Sequence, residues 1–261
     1  MATPTVINSL SRGVQIMRLL AGQPAGLGVT EVADRLSVDP STAYRLLATL
    51  ECHGFAAQDR ETKKYSLGYG VLEVASGVLS RLSVVEIAQP HVRSTAFRMG
   101  ENTHLAVRDR QFAVFVDSEP GTGMLRVETT LGKAEPLHCT AVGKALLVDF
   151  TRAQLLDLFG ERPLQRYTAH TLTTIDELET ELSRVQRLGY AFDDEELHPG
   201  VRCISAPVRD RARRVVAAFG ISSPSVRLTR ERIGEIGEQI RSCARGISMQ
   251  LGYVPDGAGV K

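Results

Sequence analysis

The apolar positions of the first fifty residues repeat with helical spacing in three short stretches. In the first, Leu10, Val14, Met17 and Leu20 follow one another at intervals of four, three and three residues. This spacing places them on one apolar face of a predicted helix. The segment 21–28 is rich in glycine and proline and ends the helix.

Two further helices follow, each with a recognisable start. Thr30 is a candidate N-cap for a short helix that ends near residue 38. Asp39 followed by Pro40 predicts the start of a third helix, and Gly54 is suited to end it. The predicted core face of this third helix consists of Ala43, Leu46, Leu47 and Leu50.

The segment 55–67 has the alternating pattern of two short strands around a polar tip. Phe55 and Ala57 alternate on the first strand and Tyr65 and Leu67 on the second, with residues 59–64 between them. Three short helices and a hairpin make up a winged helix-turn-helix, so residues 1–67 are predicted to form this domain.

An apolar stripe continues over residues 68–82, where Val71, Ala75, Val78 and Leu82 share one face of a predicted linker helix. A face this wide on so short a helix needs a partner. The apolar face could pack within its own domain or against a second copy of the chain, and the pattern alone does not distinguish the two.

Residues 83–255 alternate between strand-like and helix-like stretches joined by short turns. A hairpin is predicted around residues 109–110, a strand at 123–132, a helix at 141–149 and two neighbouring strands at 201–208 and 215–223. Capping pairs predict helices after Thr151 and Thr174, and a last helix spans about 229–251. This arrangement is typical of an α+β domain with an antiparallel sheet, and residues 256–261 are predicted to be a flexible tail.

The third helix leaves polar side chains on its outer face, where a recognition helix would meet base edges and phosphates. These side chains are Ser41, Thr42, Tyr44, Arg45 and Thr49. The hairpin tip adds Arg60, Lys63 and Lys64, which are suited to hold phosphates. Basic and acidic residues nearly balance over residues 1–81, so charge alone leaves both a DNA-binding face and an ordinary solvated face open.

Composition excludes several classes of protein. The chain is 43% hydrophobic, 23% charged and has a formal net charge of +1, as in ordinary globular proteins. Its four cysteines are far apart and form no C-x-x-C pair, which argues against a disulfide framework. We find no apolar run long enough to cross a bilayer and no secretory signal, so the expected location is the cytoplasm.

Several segments, taken in order, are more specific than any pattern. "SLSRGVQIMRLL", "VTEVADRLSVDPSTAYRLLATLECHGF" and "YSLG" resemble the N-terminal region of the IclR family of bacterial transcription regulators. "PLHCTAVGKALL", "GYAFDDEELHPGVRCISAPV" and "AAFGISSPSVRL" resemble the signature segments of that family's C-terminal effector-binding domain. The matches run from about residue 8 to about residue 250 and keep the order found in the family.

The resemblance implies a winged helix-turn-helix at 1–67, a linker helix at 68–82 and a GAF-like or profilin-like effector-binding domain at 83–255. It also implies a dimer formed through the DNA-binding region, often assembled into tetramers, on a pseudo-palindromic DNA operator. Family members act as repressors or activators controlled by small organic or aromatic acids. Repression is the expected mode for this chain, with no cofactor.

The resemblance also assigns effector contacts to particular residues. The backbone N–H groups of Ala141 and Val142 would meet the oxygens of the effector, and the side chains of Asp193, Cys203 and Ser222 would complete the site. Gly220 stands where some relatives have serine, so that hydrogen bond is expected to be absent here. On composition alone, the acidic run at 193–196 is typical of a solvated loop.

Two other classes of function are open to the same residues. A metal-responsive regulator would draw on His138, Cys139, Asp193, Asp194, His198 and Cys203, although their spacing matches no known site. A thiol-dependent enzyme would use His138 and Cys139, but neighbours on an extended segment point to opposite sides. The chain lacks a complete Walker motif and any G-x-S-x-G, so enzymes built on either motif are excluded.

Overall fold

A computed structural model describes residues 7–79 and 83–255 of the chain. The described residues form two compact units, one within 1–82 and one within 83–261. The predicted tail 256–261 lies outside the described residues, as does the end of the predicted linker helix at 80–82.

The first unit is a winged helix-turn-helix, as predicted. Its helices are α1 (Asn8–Ala21), α2 (Val29–Leu36), α3 (Pro40–Cys52) and α4 (Gly70–Leu79), and its strands are β1 (Ala56–Gln58) and β2 (Tyr65–Leu67). The strands pair antiparallel, with Ala56 opposite Leu67. Apolar side chains from α1, α2, α3 and the hairpin form one small core beneath them.

Local signals account for both ends of α3. Asp39 accepts a hydrogen bond from the Thr42 N–H at 2.9 Å, and Pro40 occupies the first helical position. Gly54 has φ +73°, a left-handed conformation that glycine adopts without strain. The predicted cap of α2 is wrong, because its N-cap is Gly28, whose N–H donates to Glu31 Oε2 at 2.7 Å.

The predicted apolar face of α1 is buried only towards its C-terminal end. Ile16 and Leu20 are buried, whereas Leu10 is 66% exposed and Val14 is 37% exposed. Two apolar stripes share this helix, and periodicity alone cannot choose between them. Packing against the rest of the domain buries the stripe through Ile16.

The hairpin differs from the prediction by one residue on its first strand. Ala56 is buried and Ala57 is exposed, and Tyr65 on the second strand is buried. Successive strand residues point to opposite faces, so a shift of one residue exchanges the two faces. In α4, Val71 and Ala75 are half-buried and Leu72 is exposed; the side chain of Val78 lies outside the described part.

The second unit is built on a six-stranded antiparallel sheet with the strand order β5-β4-β3-β8-β7-β6. The strands are β3 (Asn102–Asp109), β4 (Phe112–Glu119), β5 (Ala134–Pro136), β6 (Ala191–Asp194), β7 (Val201–Arg209) and β8 (Val215–Pro224). The helices are α5 (Ser83–Met99), α6 (Ala141–Leu146), α7 (Arg152–Phe159), α8 (Ile175–Leu188) and α9 (Ile233–Gln250). The antiparallel α+β fold is therefore confirmed.

Helices cover both faces of this sheet. On one face α6 lies against β6, β7 and β8, and side chains of α6, α7 and α8 join Ala106, Phe115 and Ala218 in the main core. On the other face α5 and α9 pack on the sheet and on each other. Because strand residues alternate, Cys203 and Ser205 face α6, while Ile204 and Ser223 face α5 and α9.

The strand predicted at 123–132 does not form. This segment is irregular, and its largest apolar side chains, Met124, Leu125 and Leu131, are exposed. The edge of the sheet is taken instead by β5, which pairs with β4 through Pro136 opposite Phe112. An apolar run forms a strand only where a neighbouring strand accepts its hydrogen bonds.

Candidate functional site

The N-terminal end of α3 is organised around the carboxylate of Asp39. Its Oδ1 accepts from the Ser41 hydroxyl at 2.6 Å, and its Oδ2 accepts from the Thr42 hydroxyl at 2.7 Å. These hydrogen bonds stabilise the ionised form and hold the pKa of Asp39 well below its usual range. Both hydroxyl protons are thus committed to the cap, while the hydroxyl oxygens keep lone pairs for another donor.

The remaining polar residues of α3 differ in how freely they project. The Thr49 hydroxyl donates to the backbone oxygen of Arg45 at 2.7 Å, so it is tied to its own helix. Tyr44 and Arg45 are exposed. Arg45 and Thr49 line one side of a groove of about 780 Å³, and Leu10 and Val14 of α1 line the other.

The tip of the wing is a tight turn held by Asp59. Its Oδ1 accepts from the backbone N–H and the hydroxyl of Thr62, at 2.7 and 2.8 Å. Lys63 has φ +59°, and its carbonyl accepts from Gln58 Nε2 at 3.0 Å. The turn therefore presents the predicted cations Arg60 and Lys63 at its exposed end, with Lys64 half-buried beside them.

In the second unit, the three predicted side-chain contacts form one row across the sheet. Asp193 of β6 lies opposite Cys203 of β7, which lies opposite Ser222 of β8. Cys203 Sγ and Ser222 Oγ are 3.1 Å apart. Asn102 of β3 extends the row, and its Oδ1 accepts from the Thr129 hydroxyl at 3.0 Å.

The two predicted backbone contacts begin the helix that covers this row. The Thr140 hydroxyl caps α6 by accepting from the Gly143 N–H at 3.1 Å. A side chain on Gly143 would collide with the carbonyl of Leu137, which explains how α6 approaches its neighbours so closely. Ala141 and Val142 occupy the first turn, where backbone N–H groups lack intrahelical acceptors. The fold thus brings all five predicted effector residues to one side of the sheet.

Lys144 is a residue that the predicted site did not include. Its side chain is 1% exposed, and its Nζ lies 2.5 Å from Glu196 Oε1 and 3.5 Å from Glu181 Oε1. It also donates to the carbonyl of Phe192. Burial opposes the charge of Lys144, but the surrounding carboxylates outweigh it and raise its pKa. The available signal was a lysine within the otherwise apolar run "AVGKALLV".

The acidic run at 193–196 is not a solvated loop, contrary to the prediction from composition. Asp193 and Glu196 are buried, and Asp193 Oδ1 accepts from the Glu196 N–H at 2.7 Å. Burial raises the pKa of Asp193 to about 8, with Lys144 opposing and Glu196 adding to the shift. Asp194 is instead bound by Arg202 at 2.7 Å. Burial therefore favours the neutral form of the carboxyl in this row.

The alternative chemistries gain no support from the described residues. Within 7–79 and 83–255, no three His, Cys, Asp or Glu side chains are grouped to hold a metal ion. Burial raises the pKa of the Cys139 and Cys203 thiols, which disfavours the thiolate that a nucleophile needs. Across these same residues, no helix is long and apolar enough to cross a membrane.

Comparison with protein-family models gives two matches that together cover most of the chain. Residues 9–60 match the IclR helix-turn-helix domain, and residues 76–249 match the bacterial transcriptional regulator IclR C-terminal domain. The chain belongs to the IclR family. Its members are DNA-binding transcriptional regulators and not enzymes, so the helix-turn-helix makes DNA a partner and the C-terminal domain makes a small molecule its ligand.

Relatives within the IclR family are similar over nearly the whole chain. The transcriptional regulator KdgR of Dickeya chrysanthemi is 32% identical, covering 96% of this chain and 82% of its own. The transcriptional repressor AllR of Klebsiella pneumoniae is 33% identical, covering 95% and 91%. The crystal structure of the Thermotoga maritima IclR has a TM-score of 0.79 at 30% identity, covering 94% and 99%.

Proposed function

We propose that this IclR-family regulator is a cytoplasmic repressor that binds a pseudo-palindromic operator as a two-fold dimer and responds to a small organic or aromatic acid. The polar row on the α6 face of the sheet is the observation that carries the effector assignment. An acid shifts operator occupancy only if it binds one arrangement of the protein more tightly than another.

The exposed polar residues of α3 are assigned to base recognition in the DNA. Arg45 is suited to pair with guanine through both of its terminal nitrogens, and Tyr44 lies beside it. Ser41 and Thr42 accept hydrogen bonds from base amino groups, because their own protons are committed to Asp39. Thr49 supports the helix near the contact, and Arg60, Lys63 and Lys64 hold phosphates.

Dimer formation is assigned to exposed apolar side chains of the first unit. Leu10 and Val14 of α1 and Leu72 and Val74 of α4 are exposed. Such a surface on a small domain favours contact with a second copy. A tetramer would build on this dimer, and the two-fold axis would set the spacing of the operator half-sites.

Arg45→Ala is expected to relax operator specificity. Losing a bidentate guanine contact costs roughly 1–3 kcal/mol of discrimination, whereas Lys63→Ala removes a phosphate contact that every sequence offers. Gel-shift titrations on operator and scrambled DNA at fixed salt distinguish the two. Equal weakening of both DNAs by Arg45→Ala would show that this residue does not read bases.

On the effector side, the acid is held by the N–H groups of Ala141 and Val142, with Asp193, Cys203 and Ser222 as side-chain contacts. Free N–H groups at a helix start favour an anion. A relative from Microbacterium hydrocarbonoxydans was crystallised with 4-hydroxybenzoate, which makes this acid a reasonable first probe. The raised pKa of Asp193 supports the assignment, since burial favours a neutral carboxyl beside the ligand.

Ala141→Pro is expected to weaken acid binding by about tenfold or more, because it removes one N–H from the site. Proline suits the first helical position, and Thr140 already has the extended conformation that proline requires before it. Calorimetry with 4-hydroxybenzoate, benzoate, acetate and malonate measures the change. The control is Arg152→Pro, the same substitution at the start of α7. Unchanged acid binding by Ala141→Pro would refute the contact.

A further inference from the structure

Gly220 leaves a gap in the sheet that its neighbour Ser205 fills. Gly220 of β8 lies directly opposite Ser205 of β7 and His104 of β3. A Cβ atom at residue 220 would lie 2.0 Å from Ser205 Oγ and 2.4 Å from the carbonyl of Ile204. Any side chain at 220 is therefore excluded, and the hydroxyl of Ser205 occupies the space that such a side chain would take.

The hydroxyl of Ser205 is buried with no hydrogen-bond partner among the described residues. Ser205 is 0% exposed, and its Oγ belongs to the few buried side-chain atoms in this part of the chain without a partner. Buried polar groups are almost always paired, because an unpaired one loses its water without compensation. This hydroxyl is therefore available to bond a group from outside the described residues.

The position of Ser205 indicates what that group is. It lies two residues from Cys203 on the same face of β7, so its row adjoins the row formed by Asp193, Cys203 and Ser222. Both rows lie under α6, which packs on β7 and β8. His104 on the far side of Gly220 is neutral, since burial lowers its pKa to about 3, and adds no competing charge.

We infer that Ser205 is an effector-contacting residue, and that its hydroxyl donates a hydrogen bond to an oxygen of the bound acid in place of a side chain at residue 220. The inference rests on the proposed effector site and adds a specificity-determining residue to it. An acid that cannot place an oxygen within reach of β7 would leave this hydroxyl unpaired and bind less tightly.

Ser205→Ala tests this role, because an unpaired hydroxyl has no hydrogen bond to lose in the free protein. We expect affinity for the best-bound of 4-hydroxybenzoate, benzoate, acetate and malonate to fall about tenfold or more, with an unchanged or higher unfolding temperature. Ser223→Ala is the matched control: Ser223 is equally buried but faces α5 and α9, where it donates to the Pro224 carbonyl at 3.2 Å.

The outcomes separate this inference from the effector site itself. If wild-type protein binds an acid and Ser205→Ala binds it equally well, the role of Ser205 is refuted and the proposed function stands. A matching loss in Ser223→Ala, or a loss accompanied by a lower unfolding temperature, would assign Ser205 a structural role and also refute the inference. If none of the four acids binds to wild-type protein, both the carboxylate site and the contact by Ser205 fail together.

Discussion

Lys144→Met is expected to lower the free energy of unfolding of the C-terminal unit by about 3–5 kcal/mol, the usual cost of removing one partner from a buried ion pair. Methionine fills a similar volume but leaves Glu196 and Glu181 without their shared cation. Glu196 is buried and its Oε2 has no hydrogen-bond partner among the described residues, so little else is available to compensate its unpaired negative charge. Urea unfolding followed by circular dichroism measures the loss.

Two comparison variants identify the cause of the Lys144→Met effect. Lys133→Met removes an ion pair of 2.8 Å to Glu135 from a lysine that is 45% exposed, and is expected to cost less than about 1 kcal/mol. Adding Glu196→Gln to Lys144→Met removes one of the two carboxylate charges that lost their cation, and should recover part of the lost free energy of unfolding. If both lysine variants lost the same stability, the buried cluster would have no special role.

The ion pairs of Lys144 could not be predicted from the sequence. Its partners Glu181 and Glu196 lie 37 and 52 residues along the chain, on α8 and after β6. Composition could not indicate that the acidic run at 193–196 folds inward onto this cation. Only the sheet, which places β6 beside β7 and under α6, brings these charges together.

The features predicted correctly are those with a local physical cause. Asp39 with Pro40 specifies the start of α3 within four residues, and Thr174 with Glu177 does the same for α8. Two other features depend on distant packing. The buried face of α1 was ambiguous because Leu10 and Ile16 lie on competing stripes. The segment 123–132 is irregular, and β5 takes the edge of the sheet beside β4 instead.

The candidate sites show the same contrast between features with a local cause and features that depend on distant packing. The cap of α3 could be predicted from Asp39. The hydrogen bonds that the Ser41 and Thr42 hydroxyls donate to Asp39 could be identified only from the folded geometry. The absence of a side chain at Gly220 was visible in the sequence, and a missing hydrogen bond was the natural expectation. That Ser205 occupies the same space follows only from the pairing of β7 with β8.

Asp193→Asn is expected to stabilise the protein by an amount that depends on pH. Burial raises the pKa of Asp193 from 3.8 to about 8. Below pH 4 both the folded and the unfolded chain hold this proton. Between pH 4 and 8 only the unfolded chain releases this proton, so the free energy of unfolding of wild-type protein falls as the pH rises. Above pH 8 both states have released it, and the contribution of Asp193 to the free energy of unfolding no longer changes with pH. Asparagine has no such proton and can still accept from the Glu196 N–H.

The gain from Asp193→Asn should therefore grow from pH 5 to pH 8, reach the order of a few kcal/mol, and then level off. Asp194→Asn is the control, because the pKa of Asp194 is shifted in the opposite direction and its loss should destabilise the protein. Burial disfavours its charge, but hydrogen bonds from Arg202 and Arg230 prevail and lower the pKa of Asp194. Its stabilising contribution is present at neutral pH and is lost as the pH falls through that lowered value, so the cost of Asp194→Asn should shrink in acid.

The same proton links stability to effector binding. Below pH 8 the neutral carboxyl of Asp193 can stand beside a bound carboxylate, whereas above pH 8 its negative charge repels the ligand. Wild-type affinity for the best-bound acid should fall above pH 8, and the affinity of Asp193→Asn should not. Calorimetric titrations at pH 6, 7, 8 and 9 measure both. Parallel pH profiles for the two proteins would show that Asp193 is ionised at neutral pH or lies away from the ligand.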